Sequence, residues 1–135
     1  MEQILQHFRF EGTPVLWEPF GNGHINRTFH VVCDNRNEYT VQKINRVAFR
    51  NPEQLIENID AVTRFISAKP GLCQETIHLL PARDGKKYYV DEDGEYWRAY
   101  PYISEGLCLD MPRSAEDFYQ AAVAFGQFQQ ALSDF

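Results

Sequence analysis

Long apolar runs are missing from this chain, and nothing in it approaches the roughly 20 consecutive apolar residues of a membrane-spanning helix. Cysteine is scarce. Cys33, Cys73 and Cys108 are odd in number, far apart and without C-x-x-C spacing. That pattern argues against a disulfide framework or a zinc site, and it leads us to expect a reducing, cytoplasmic setting. Excess basic charge is missing too. A net charge of -6 over 135 residues, with no basic run to offset it, leaves no footprint for a non-specific grip on nucleic acid. A single phosphate, which needs only one or two cations, stays within reach. The opening MEQILQHFRFEG carries charge in its first residues, so no secretory leader is read there. Internal repeats and low-complexity tracts are likewise absent. What remains is 44% hydrophobic and 24% charged, an ordinary globular composition at a length that suits one domain.

The period of the apolar residues divides the chain. Met1–Phe10 reads as a short amphipathic helix with Ile4, Leu5 and Phe8 on one side. Three strands are expected next, over Val15–Phe20, Asn26–Cys33 and Glu38–Ile44, the last two alternating and rich in β-branched and aromatic types. Asp34–Asn37 supplies a turn between them. From Asn51 the period becomes 3.6. Asn51 suits an N-cap, Pro52 the first helical position and Glu53 the positive helix end. Leu55, Ile59, Val62 and Ile66 form the stripe of that helix, and Lys69-Pro70-Gly71 stops it.

Glu75–Ala82 reads as a further strand. Residues 83–103 read as two more, turning at Asp84-Gly85 and Asp93-Gly94. A second long helix is expected from Ser114, with Asp117 at capping-box spacing. Its apolar face is Phe118, Ala121, Phe125, Phe128 and Leu132. The fold class is therefore α+β: an antiparallel sheet of about five strands with one packed helix, followed by a linker and a helix. The last helix carries an aromatic stripe with nothing left to cover it. We expect the chain to be part of a longer protein, or to self-associate through that helix.

Two features carry candidate chemistry. Gly21 and Gly23, in FGNGHINRTFHV, give the first hairpin backbone freedom. The loop serves either as a plain turn or as a concavity whose N–H groups bind an anion. It is an incomplete G-x-G-x-x-G, since its sixth position is Asn26, and it is not a P-loop. Lys43 shares a strand face with Tyr39 and Val41. Its ammonium must reach the sheet edge or meet a negative group, and a nucleotide phosphate is one option. A glycine loop between the first two strands, a basic residue on the third, a helix directly after it and a hinge-like WRAYPYI follow the order of a kinase small lobe.

PFGNGHINRTFHV, YTVQKIN, FRNPEQLIENIDAVTRFI, WRAYPYI and FGQFQQALSDF together resemble the start of N-acetylhexosamine 1-kinase-like enzymes. These belong to the aminoglycoside phosphotransferase and choline kinase group, and the resemblance runs from about Phe10 to the C-terminus. It implies an ATP-binding small lobe over residues 1–99, a hinge over 100–113 and the first large-lobe helix over 114–135. By it, Gly21, Asn22, Gly23, His24 and Asn26 lie over the ATP phosphates, and Lys43 takes the basic position of the third strand. Tyr100, Pro101, Tyr102 and Ile103 form the hinge that meets adenine. It also implies transfer of the γ-phosphoryl of ATP, with Mg²⁺, to a sugar hydroxyl. Neither Glu53 nor Glu57 is assigned to Lys43, because both fall opposite the helix stripe.

Such chemistry needs a catalytic-loop Asp, a downstream Asn and a metal-binding Asp. His7, His24, His30 and His78 are followed two places on by Arg9, Asn26, Val32 and Leu80, and no Asp has an Asn five positions later. The acidic Asp91–Asp93 precedes Gly94 and reads as a solvated turn rather than a metal pair. His24 is weighed as a base but reads better as a loop or substrate contact. Catalytic and Mg²⁺ groups are therefore expected outside this chain, which alone should be inactive. The competing expectation is a non-catalytic α+β module that binds a ligand or partner and uses the glycine loop only to turn.

Overall fold

The computed structural model describes residues 1–69, 76–106 and 109–135. In chain order its elements are α1 (Glu2–Leu5), β1 (Pro14–Pro19), β2 (Arg27–Cys33), β3 (Glu38–Lys43), α2 (Pro52–Ser67), β4 (Tyr89–Val90), β5 (Tyr96–Pro101) and α3 (Ala115–Ala131). The five strands form one antiparallel sheet in the order β1-β2-β3-β5-β4. The α+β class and the five-stranded antiparallel sheet expected from periodicity are both present.

Register sorts the sheet into two unlike faces. Val31 pairs with Tyr39, Val41 with Ala99, and Lys43 with Trp97. Because side chains alternate along a strand, Phe29, Val31, Cys33, Tyr39, Val41, Trp97 and Ala99 share one face. Ile4 and Leu5 of α1, together with Phe8, bury themselves there. Thr28 pairs with Gln42, Gln42 with Arg98, and Thr40 with both His30 and Tyr100, so the opposite face is largely polar. At one corner of it Ile56 of α2 packs on Ile44 and Leu79, with Tyr88, Tyr96 and Tyr100 around them.

Several local expectations stand and several are corrected. Asn51 caps α2 by accepting the Gln54 N–H, with Pro52 in the first turn. The helix ends at Ser67, ahead of Lys69, while Pro70 and Gly71 lie outside the described residues. Its innermost residue is Ile56, 1% exposed, which the predicted stripe omitted. The N-terminal helix is a single turn, and Phe8 reaches the core through a bridge to Ala82. The strand expected over Glu75–Ala82 does not form in its described part. Residues 76–81 run without ladder pairing, tied by the Leu80 N–H to the Ala99 carbonyl and by the Arg9 N–H to the Pro81 carbonyl.

Both Asp-Gly turns form, with Gly85 and Gly94 at positive φ. Asp91 is more than a solvated turn residue: its carboxylate accepts the Trp97 Nε1–H at 2.7 Å and the Glu95 N–H at 2.9 Å. Ser114 caps α3 by accepting the Asp117 N–H, and the Asp117 carboxylate reaches back to the backbone of Arg113 and of Ser114, as the spacing predicts. Cys33 is a buried free thiol, whereas Cys73 and Cys108 lie outside the described residues. No helix among the described residues is long and apolar enough to cross a membrane.

Candidate functional site

The loop from Phe20 to Asn26 joins β1 to β2, and the Phe20 N–H still bonds the Thr28 carbonyl at 2.9 Å. Gly21 then turns the chain with φ +81°, a conformation that side chains with a Cβ resist. Gly23 differs. It is not at positive φ, and a Cβ built on it would meet nothing within 4 Å. Nothing in its own surroundings requires a glycine there. Asn22 and His24 are exposed and have no partner among the described residues. Asn26 instead has a structural role, since its Oδ1 accepts the Asn45 N–H at 3.0 Å and ties the start of β2 to the chain leaving β3.

Phe20, at the loop entrance, leans on the polar face. Its ring lies 5.8 Å from His30 and 5.5 Å from Tyr102, and the His30 and Tyr102 rings are 4.4 Å apart. His30 Nε2 sits 2.6 Å from a Glu38 carboxylate oxygen. The loop entrance and the predicted hinge are thus brought together by an aromatic cluster. Tyr100 belongs to this face, and burial raises its phenol pKa above the ordinary value, against the opposing pull of Arg98 and of its hydrogen bond with Thr40. Pro101 ends β5 and, by alternation, points to the other face. The Tyr102 N–H is already engaged by the Glu38 carbonyl. The next backbone N–H along the chain is that of Ile103, whose exposed side chain follows the strand.

Lys43 is not brought to this face. It lies on the opposite one with Trp97, and its Nζ is 2.9 Å from Glu95 Oε1 in the turn before β5. The unassigned partner of Lys43 is thus Glu95, neither glutamate of α2. Glu53 does reach the sheet, but it accepts a hydrogen bond from Tyr96, 3.2 Å away. With Arg27 and Arg46, Lys43 lines a cavity of about 230 Å³ beside the exit from β3.

A row of side chains on the polar face was not read from the sequence. Arg98 donates through Nε and Nη2 to Gln42 Oε1 at 3.0 and 2.8 Å, and Gln42 Nε2 donates to Thr28 Oγ1 at 3.0 Å. The row crosses β5, β3 and β2 and ends beside the glycine loop. The available signal was the alternation of WRAYPYI, which puts Arg98 on the face of Tyr96 and Tyr100 and opposite Trp97. Among the described residues no group of three or more His, Cys, Asp or Glu side chains is placed to hold a metal ion. No protein-family model matches the chain.

Proposed function

We propose that this chain is the nucleotide-binding part of a cytoplasmic small-molecule phosphotransferase of the N-acetylhexosamine 1-kinase kind. In this reading the glycine turn and the polar sheet face receive ATP, and the backbone from Ile103 onward meets the adenine. The γ-phosphoryl group passes to a sugar hydroxyl under Mg²⁺ and a catalytic aspartate supplied from outside these residues. The acceptor follows the resemblance of GNGHIN and NPEQLIENI to N-acetylhexosamine kinases. Supporting the reading most directly is Gly23, a glycine required neither by φ nor by space, in a loop whose entrance leans on the same face as Tyr102. A ligand approaching the backbone closely accounts for such a residue.

The test is a titration of the chain with Mg-ATP by calorimetry. Weak binding is expected, reduced at least about tenfold in Gly23→Val, because a branched side chain blocks access to the loop amides. Binding of equal strength in both proteins would leave the loop a plain turn and favour a non-catalytic module. The chain alone should phosphorylate no sugar.

A further inference from the structure

The strand-β3 lysine lies on the sheet face opposite the polar row; it lines a small cavity with Ile25 of the glycine loop, but its charge is already met by Glu95 at 2.9 Å. The polar face carries a different cation. Arg98 is half-buried, and no carboxylate among the described residues pairs with it. Its guanidinium is held by Gln42 Oε1, a neutral acceptor that receives two of its five N–H groups at 3.0 and 2.8 Å. Gln42 is fixed in turn by Thr28. Burial pulls the Arg98 pKa below the ordinary guanidinium value, yet an arginine stays protonated in proteins.

The result is an oriented cation, partly removed from water, whose charge is not cancelled. Such an arrangement is costly unless an anion completes it. A planar fork with free donors matches the paired oxygens of a phosphate better than an ammonium does. The row Arg98–Gln42–Thr28 also leads directly to the residue whose carbonyl receives the Phe20 N–H at the loop entrance.

We propose that Arg98, oriented by Gln42 and Thr28, is the residue that binds the phosphate group on this sheet, and that Lys43 has no part in it. The proposal rests on the nucleotide reading for the carrier of that phosphate, and on Arg98 and its neighbours for the anion itself. Arg98 grips two phosphate oxygens from the sheet side while the loop amides close over the others.

ATP and adenosine are titrated against the wild-type chain, Arg98→Gln and Lys43→Met. In Arg98→Gln the preference for ATP over adenosine should fall by about tenfold to about a hundredfold, the range for a charged hydrogen bond, with adenosine binding unchanged. Lys43→Met should behave as wild type. An intact ATP preference in Arg98→Gln, or its loss in Lys43→Met, overturns the proposal. Arg98→Lys, compared by thermal unfolding, covers the case in which Arg98→Gln does not fold: it keeps the charge but not the fork, and a partial loss is expected.

If the wild-type chain binds no nucleotide, the kinase reading fails, and pyrophosphate alone decides the rest. The Nε–H resonance of Arg98, assigned by its absence in Arg98→Lys, should then shift on adding pyrophosphate to wild type and to Lys43→Met. An unmoved resonance overturns the anion site as well.

Discussion

Two glycines two positions apart do different work, and the difference is measurable. Gly21 sits at φ +81°, where a residue with a Cβ costs about 1–2 kcal/mol. Gly23 has open space and no positive φ, so its replacement should change stability by less than about 0.5 kcal/mol. Thermal unfolding of Gly21→Val and Gly23→Val should separate them by several degrees, with Gly23→Val close to wild type. Equal losses would mean that Gly23 matters to the fold itself, and would weaken its use as a reporter of ligand approach. The pair GNG is legible in sequence as a flexible corner, but which glycine the backbone needs is set by φ alone. Lys43 illustrates a related limit. Its face follows from alternation with Tyr39 and Val41, while its partner Glu95 comes from a distant turn that no local pattern connects to it. In the turn between β2 and β3, Arg36 rather than an asparagine takes the left-handed position, at φ 68°.

Helix α2 meets the sheet through tyrosines as well as through Ile56. The Tyr88 phenol is pushed up to about 12, first by burial, then by its hydrogen bond to Glu53 and by the charges of Glu53, Tyr96 and Glu57. A folded-state pKa above the ordinary 10.0 favours the neutral phenol in the fold. The stabilisation is therefore complete below pH 10 and is lost as pH rises toward 12. Tyrosinate absorbance should show a late phase that Tyr88→Phe reduces, the raised Tyr96 and Tyr100 phenols accounting for what remains. In Glu53→Gln it should move to lower pH, since burial remains but the negative charge is gone. A Glu53→Gln titration identical to wild type would remove that carboxylate from the explanation.

At this scale the sequence was most informative where the signal is local. The caps Asn51 and Ser114, the alternation of β2 and β3 and the Asp-Gly turns all follow from neighbouring residues. The segment before Ala82 misled because its apolar residues resemble a strand. In the fold Leu79 is buried beside Ile56 and Leu80 makes one bond to Ala99, so burial was achieved without a ladder. The α2 stripe was offset for a comparable reason: Ile56 is selected by where Ile44 and Leu79 stand, which the helix period does not encode. Arg98 was hidden inside a stretch read for its backbone.

Seen whole, the molecule is unevenly covered. Both faces of the sheet have partners, and α3 is fastened near its end. There Lys69 donates to the Ala131 carbonyl and to Asp134, and Phe65 meets Phe135. Phe118 and Phe125 stay 67% and 64% exposed. Apolar rings in that number on one helix favour association, and we expect the chain to form concentration-dependent assemblies with itself. Light scattering should record them, and Phe118→Glu with Phe125→Glu should abolish them. A single monomeric species at every concentration would count against it.

The strand order also sets a sequence of events. β1, β2 and β3 are joined by short hairpins, and β4 and β5 form another, but β5 must find β3 across the whole of α2. Closing so long a loop is entropically slow compared with forming neighbouring hairpins. As the chain emerges from synthesis, the first three strands can assemble early while the flank of β3 waits open. Arg98 rides on the strand that closes it, so the row to Thr28 can be completed only when the slowest pairing of the sheet is made.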